Sequence, residues 1–318
     1  MRTLVVGGAG FIGSHLARTL IADGRRQVRV TGRRETPIFG LPAEVDYVRA
    51  DAADEVAMRR LLSEADEVID LAYGSVPKTS FEDPVHDVLA NLPATVNLLK
   101  MASERSLRRF LLVSSGGTVY GNASRLPIDE FHPTNPVSPY GITKLAAEKY
   151  AFLFHRLSAL PLVVARPSNP YGPFQFGRLA QGFIGAALHA TAGRQKVTVF
   201  GERGTVRDYI YVDDLALGLM AALDHGRIGE TYNIGTSIGY DNRAVLDEID
   251  SVVNGDGYSV ECEHKPARSF DVAENVLSSA RLTYVSGWRP QIDLRTGLEA
   301  TWRWAKEREF LREDFVLC

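Results

Sequence analysis

Apolar residues in this chain fall into short unbroken runs, separated by longer stretches in which they recur every three or four positions. The runs occupy residues 4–6, 28–31, 45–51, 67–72, 110–113 and 162–166. Each is bounded by glycine or polar residues and reads as a strand buried on both faces. Residues 14–20, 54–64, 85–102 and 140–150 carry helical spacing. Strands that alternate with helices predict a parallel sheet with right-handed crossovers and helices on both faces. Residues 73–84, with Gly74, Pro77 and Pro84, read as loop.

Beyond residue 166 the texture changes. Residues 167–173 hold three prolines and read as a rigid loop. A helical stretch at about 178–190, a short strand at 196–200 and helices near 242–253 and 295–310 follow. The pattern has no internal repeat and no low-complexity linker. The fold class expected is therefore α/β, a Rossmann-type doubly wound parallel sheet with a smaller C-terminal substrate domain. Residues 1–168 are expected to bind a dinucleotide and to be rejoined by about 208–235. Residues 169–207 and 236–318 are expected to form the substrate domain.

Composition narrows the partners. The chain has 318 residues and a formal net charge of -3, so it has no general attraction for nucleic acid or acidic membranes. No apolar run approaches the ~20 residues of a membrane span. The N-terminus is too short before its glycines for a secretory signal. Two cysteines, Cys262 and Cys318, make no disulfide framework and suit a reducing cytoplasm. The seven histidines show no ligand spacing, so no metal is expected.

Candidate chemistry begins at Gly7-Gly8-Ala9-Gly10-Phe11-Ile12-Gly13, between a strand and a helix. Gly7, Gly10 and Gly13 suit a tight turn, close approach to a pyrophosphate and close helix–strand packing. Phe11 and Ile12 lie in this turn, just before the helix whose free N–H groups and dipole favour phosphate. About 20 residues past such a turn an acid commonly binds the ribose 2′-hydroxyl. This chain has Arg33 and Arg34 instead, which suit a 2′-phosphate and lean the expected cofactor to NADP over NAD. Asp51 is placed to cap the adenine amino group, with Ala52 beside it. Leu71 and Ala72, at the tail of the fourth run, should border the cofactor. Asn91, inside the 85–102 helix, and Pro167 complete the cofactor set.

Tyr140 and Lys144 stand four residues apart on a helical segment and share one face. A cation beside a phenol favours its ionised form and makes a usable acid/base near neutral pH. A hydroxyl from the strand end Ser114-Ser115-Gly116-Gly117-Thr118-Val119-Tyr120-Gly121 can hold a substrate alcohol against that phenol.

Taken together these residues resemble the extended short-chain dehydrogenase/reductase family, and within it the nucleotide-sugar 4-epimerases acting on UDP-hexoses. The likeness covers nearly the whole chain. It includes the glycine turn, Asp51, the strand end, Tyr140/Lys144 and Arg166-Pro167-Ser168-Asn169-Pro170-Tyr171-Gly172-Pro173. It continues through 207–214, 232–235, Arg268 with Asp271, and 287–290. The resemblance implies that Tyr140 is the acid/base and that Lys144 binds the nicotinamide ribose. It implies that Asn169, Arg207 and Arg268 bind the nucleotide diphosphate of a UDP-sugar, with Val199 also at the substrate. Asn275 is implied to set the room around the sugar's C2 group, four positions after Asp271. A homodimer through the helices that include the Tyr140 helix is also implied.

Three departures qualify this. The family's catalytic Ser or Thr usually stands four residues before Tyr120, where this chain has Gly116. The hydroxyl is then Ser115 or Thr118, and the residues alone do not choose. The Asp-Glu pair of the dehydratases is replaced by Gly117-Thr118, which argues against water loss. Arg33 replaces the usual acid, which strengthens an alternative, an NADPH-dependent 4-ketoreductase of a nucleotide-linked deoxysugar. A non-catalytic NADP-sensing protein of the same fold would be expected to lose Tyr140 or Lys144, and both are present. No basic stripe supports nucleic-acid binding.

Overall fold

A computed structural model describes residues 1–75, 77–175, 182–268 and 271–308. Its first half is built from β1 (Arg2–Val6), α1 (Phe11–Ala22), β2 (Gln27–Gly32), β3 (Asp46–Arg49), α2 (Glu55–Ser63) and β4 (Glu67–Asp70). Next come α3 (Pro77–Glu82), α4 (Pro84–Ser103), β5 (Arg109–Val113), the one-turn α5 (Gly116–Val119), α6 (Pro139–Ser158) and β6 (Leu162–Pro167). The chain then leaves the sheet through β7 (Asn169–Tyr171), α7 (Phe183–Ala192), β8 (Val197–Phe200) and β9 (Val206–Tyr211). It returns with α8 (Val212–His225) and β10 (Glu230–Ile234). Last are β11 (Gly239–Tyr240), α9 (Asn242–Val253), β12 (Cys262–Lys265), β13 (Glu274–Asn275), α10 (Ala280–Ser286) and α11 (Leu294–Glu307).

Seven strands form one parallel sheet in the order β10-β6-β5-β4-β1-β2-β3. Val5 pairs with Ile69, Ile69 with Leu111 and Leu111 with Val163, so one apolar row runs across the centre. Leu16 and Leu20 of α1 and Leu215 and Leu219 of α8 cover one face. Met58 of α2, Leu98 of α4 and Ala151 of α6 cover the other. Each such buried side chain stabilises the fold by roughly 1.5–3 kcal/mol. The strand order reverses between β1 and β4, and a crevice opens there at the strands' C-terminal ends.

A second core joins Tyr171, Leu188, Val199, Ile249, Leu298 and Trp302. It belongs to a smaller lobe, in which β9 pairs with β7, β11 and β13, and β8 pairs with β12. Leu282 of α10 packs back onto the α1/α8 face.

Some elements differ from the sequence reading. Residues 73–84 contain α3, which starts at Pro77, a favoured first helical position. The expected rigid loop at 167–173 contains β7. It pairs with β9 alone, and Pro170 is tolerated because the strand lies at an edge. The helix expected from 178 begins at Phe183, after Gly182 at φ +84°. Residues 178–181 lie outside the described residues, as does Cys318.

Candidate active site

The glycine turn lies in the crevice between β1 and β4. Gly7 has φ +72°, and a Cβ there would stand 2.7 Å from the Ala72 Cα. Its N–H donates to the Thr31 hydroxyl at 3.1 Å. A Cβ at Gly13 would strike the Gly8 carbonyl, so α1 packs this close only because of glycine. Gly10 is the N-cap of α1 and offers no side-chain cap. Added bulk at Gly10 meets nothing nearer than 3.7 Å. The result is an open cradle of uncapped N–H groups at a helix N-terminus, which fits the pyrophosphate of a dinucleotide.

The other candidate cofactor residues surround this turn. Phe11 and Ile12 are half-buried in the first turn of α1, and Leu71 and Ala72 back it beyond β4. Asp51 is exposed past β3, accepts the Ala53 N–H at 3.0 Å and has half-buried Ala52 beside it. Arg33 and Arg34 are exposed past β2. Pro167 is buried at the end of β6. Asn91 is turned to the protein itself. It accepts the Gly74 N–H at 2.6 Å and donates to Ser75 Oγ at 2.9 Å and the Asp87 carbonyl at 2.7 Å. That makes it a clamp on the 73–75 loop, with both amide protons used, rather than a direct cofactor ligand.

α6 begins with Ser138, whose side chain accepts the Gly141 N–H, and Pro139 at its first position. The cap fixes Tyr140 and Lys144 one turn apart. The Ser115 hydroxyl lies beside the Tyr140 phenol and favours its ionised form. The buried Thr118 Oγ1 has no partner among the described residues. Ser115 and Thr118 thus both stand in the α5 turn near Tyr140 and Lys144, the first beside the phenol and the second with an unpaired hydroxyl among the described residues. Gly116 is excluded by packing. A Cβ there would strike Leu277 and stand 2.9 Å from the Arg166 carbonyl.

The electrostatics differ from expectation. Lys144 Nζ donates to the Val113 carbonyl at 3.0 Å. It lies 4.1 Å from the Tyr73 ring centre and 6.0 Å from that of Tyr140. Tyr73 packs edge-on against Tyr140 at 4.9 Å and so contacts both. Burial pushes the Tyr140 phenol up, the Asp87 carboxylate adds to this, and the Ser115 hydroxyl pulls it part of the way back. The expected lowering by Lys144 is thus reversed. Burial lowers Lys144 itself to about 8, against the opposing charges of Asp70, Glu148 and Asp87.

Across Asn169 lies a cavity of about 280 Å³. A Cβ on Gly117 would touch the Asn169 amide at 3.5 Å, so Asn169 links the α5 turn to this cavity. Arg207 and Arg268 both line it. Burial lowers the pKa of Arg207, and the charge of Arg268 adds to that. Arg207 donates to the Val206 carbonyl at 2.8 Å. Its neighbour Asp208 points elsewhere, accepting from Thr236, Ser237 and Leu277. Arg268 lies 3.8 Å over the Phe200 ring and pairs with Asp271 at 2.9 Å. Two clustered guanidinium groups, one desolvated, suit a diphosphate.

Two candidates are corrected here. The Val199 side chain is buried in the smaller lobe's core, and Thr198 and Phe200 line the cavity in its place. Successive side chains on β8 point to opposite faces, so one step in parity exchanges them. Asn275 is fully buried and donates to the Gly116 carbonyl at 3.1 Å, so its amide braces the catalytic turn rather than lining the cavity. Sequence reading missed Tyr73, Asp70 and Asp87. Fully buried Asp87 accepts from Thr143 at 2.7 Å and from Ser75. Its only sequence signal was an acid on the inner face of α4, one turn before Asn91.

Among the described residues no group of three or more His, Cys, Asp or Glu is placed to hold a metal. No described helix is long and apolar enough to cross a membrane.

A dinucleotide cradle at the switch point of a parallel sheet, facing a Tyr–Lys–Ser centre, places the chain among the extended short-chain dehydrogenases/reductases. Within that class it belongs to the NAD dependent epimerase/dehydratase family, whose model matches residues 3–235. A UDP-glucose 4-epimerase of Mycolicibacterium smegmatis is 34% identical over 98% of this chain and 99% of its own. The UDP-glucose 4-epimerase of Thermotoga maritima, solved with UDP-glucose, has a TM-score of 0.90 and 31% identity, covering 97% of this chain and 100% of that one. The UDP-glucuronic acid 4-epimerase of Bacillus cereus, solved with UDP-glucuronic acid and NAD, has a TM-score of 0.85 and 26% identity, covering 97% and 100%. These likenesses give the lean toward NADP no support. The family is described by NAD, and the Bacillus structure holds NAD.

Proposed function

We propose that this protein is a nucleotide-sugar 4-epimerase that works through a transient 4-keto sugar on a UDP carrier. The observation that carries this is the Ser115 hydroxyl beside the Tyr140 phenol, joined through Asn169 to a cavity with two arginines. Residues 1–168 and 208–235 hold the dinucleotide in this reading, and 169–207 and 236–318 hold the sugar nucleotide. Ser115 orients the sugar 4-hydroxyl, and Tyr140 takes its proton and later returns it. Lys144 holds the ribose hydroxyls of the dinucleotide and keeps positive charge beside the phenol. When bound in oxidised form, the nicotinamide supplies a hydride acceptor at C4 and a positive charge that offsets the burial of the Tyr140 phenolate. Asn169, Arg207 and Arg268 keep the diphosphate clamped while the 4-keto sugar turns over. The dinucleotide assigned is NAD, with Arg33 and Arg34 exposed where a 2′-phosphate would be met.

Arg33 and Arg34 also favour a second reading, the NADPH-dependent 4-ketoreductase. One experiment separates the two. The purified protein is incubated with UDP-glucose without added cofactor, and the C4 configuration is followed by proton NMR. Inversion over many turnovers is expected for the epimerase. No inversion, with stoichiometric NADPH consumption on a 4-keto sugar nucleotide, would replace it with the reductase.

A homodimer is part of the proposal. Val85 and Leu89 on α4 and Ile142, Leu153 and Leu157 on α6 are exposed apolar residues on two helices that pack side by side. Such a face suits a second copy of the same pair.

A further inference from the structure

Beside Lys144 a hollow of about 10 Å³ lies between the ends of β4 and β5 and the helices α4 and α6. Asp70, Tyr73, Thr95, Ser114 and Lys144 are the polar residues that line it. This is about the space one water needs. The Ser114 hydroxyl is buried and has no hydrogen-bond partner among the described residues. The Asp70 side chain is buried at the end of β4 and accepts the Ala72 N–H at 3.0 Å. A buried carboxylate has about four lone-pair sites to satisfy.

The other charges that face Lys144 are committed elsewhere. Glu148, on its own helix, is held by Arg166 at 3.0 and 2.6 Å. Asp87, from α4, accepts from Thr143, Ser75 and Tyr73. The phenols of Tyr73 and Tyr140 complete the titratable surroundings. Asp70 is the carboxylate that meets Lys144 across an open polar gap.

We propose that this hollow holds one water bridging the Asp70 carboxylate, the Ser114 hydroxyl and the Lys144 ammonium. Through that water Asp70 is a positioning residue, the counter-ion that keeps Lys144 charged beside the acid/base tyrosine. The water has three partners and satisfies the otherwise orphaned hydroxyl. Burial raises Asp70 to about 6 and lowers Lys144 to about 8. Between those values both groups are ionised and the pair is complete. Neutralising Asp70 withdraws a stabilising negative charge, so the lysine loses its proton at lower pH. The inference rests on the reading of Lys144 as the residue that holds the dinucleotide ribose.

The test uses the full chain freed of dinucleotide. A crystal structure at neutral pH should show a water peak within hydrogen-bonding distance of all three groups. Calorimetry of NAD binding from pH 6 to 10 reads the lysine without any turnover. In the wild type affinity should fall above about pH 8. In Asp70→Asn that fall should begin about one pH unit lower, a roughly ten-fold loss of lysine charge at a fixed alkaline pH. Ser114→Ala, which keeps the carboxylate and removes one water ligand, should move it the same way by less. An empty hollow in the density overturns the proposal. So does an alkaline fall that stays in place in Ser114→Ala and in whichever Asp70 variant folds. A protein that inverts C4 with an empty hollow keeps its proposed function and loses only this inference. One with the bridging water and no C4 inversion does the reverse.

Discussion

Removing one oxygen from residue 140 leaves its ring packed edge-on against Tyr73 and takes away the phenol oxygen beside Ser115. Tyr140→Phe should therefore lower kcat by at least ~100-fold, the usual scale of a lost acid/base. Dinucleotide affinity should stay within a few-fold of wild type. Stopped-assay kinetics and calorimetry on the same preparation check both, and a near-normal rate would remove Tyr140 from the mechanism. The pairing of Tyr140 with Lys144 was legible because helical spacing fixes which side chains share a face. The choice between Ser115 and Thr118 was not, because it depends on how the single turn of α5 aims its hydroxyls. Nor was the reason for Gly116, which lies in a contact with Leu277 and a bond from Asn275, 159 residues away in the chain. The exchange of Val199 for Thr198 and Phe200 turned on the parity of a four-residue strand.

At the scale of elements, α6 does more than carry the tyrosine. Tyr140, Lys144 and Glu148 fall at i, i+4 and i+8 on one face. Glu148 grips Arg166 of β6 with two hydrogen bonds, and Arg166 donates on to the Tyr120 hydroxyl at 2.9 Å. Removing one partner of a buried pair leaves an uncompensated charge, so Glu148→Ala should cost about 3–5 kcal/mol. Urea denaturation reads that as a lower midpoint, and an unchanged midpoint would show the pair to be incidental. The outer face of the same helix makes the dimer testable. Leu153→Asp should shift the sedimentation coefficient from dimer to monomer, while a wild type that sediments as a monomer rules out the dimer. Six of the seven sheet strands were legible as strand runs, the inner ones because both of their faces are buried, while β10 at the sheet edge was not read as a strand. β7, β11, β12 and β13 span two to four residues each, too short for any periodicity to register.

Across the whole molecule, the dinucleotide cradle sits on the sheet and the two-arginine cavity reaches into the smaller lobe. Cofactor choice is decided at the rim of the first, far from the sugar. Titration of the apoprotein should show NAD binding at least as tightly as NADP, and Arg33→Asp should weaken NADP by about ten-fold or more while sparing NAD. A wild type that strongly prefers NADP would return the arginines to the role their position in the sequence suggested. The alternating half of the fold was legible from pattern alone. The second lobe was not, since its strands gain their place only by pairing with one another across long loops. The packing at Gly116 sets a further constraint, on the order in which such a protein can change. A serine at 116 is blocked by Leu277 and by the Arg166 carbonyl. A lineage with this packing must shrink residue 277 and shift the end of β6 away from α5 before a hydroxyl at 116 becomes tolerable. Until then a hydroxyl has to come from another position of the turn, and a designer who wants one at 116 has to begin with residue 277, which the substrate lobe lays against it.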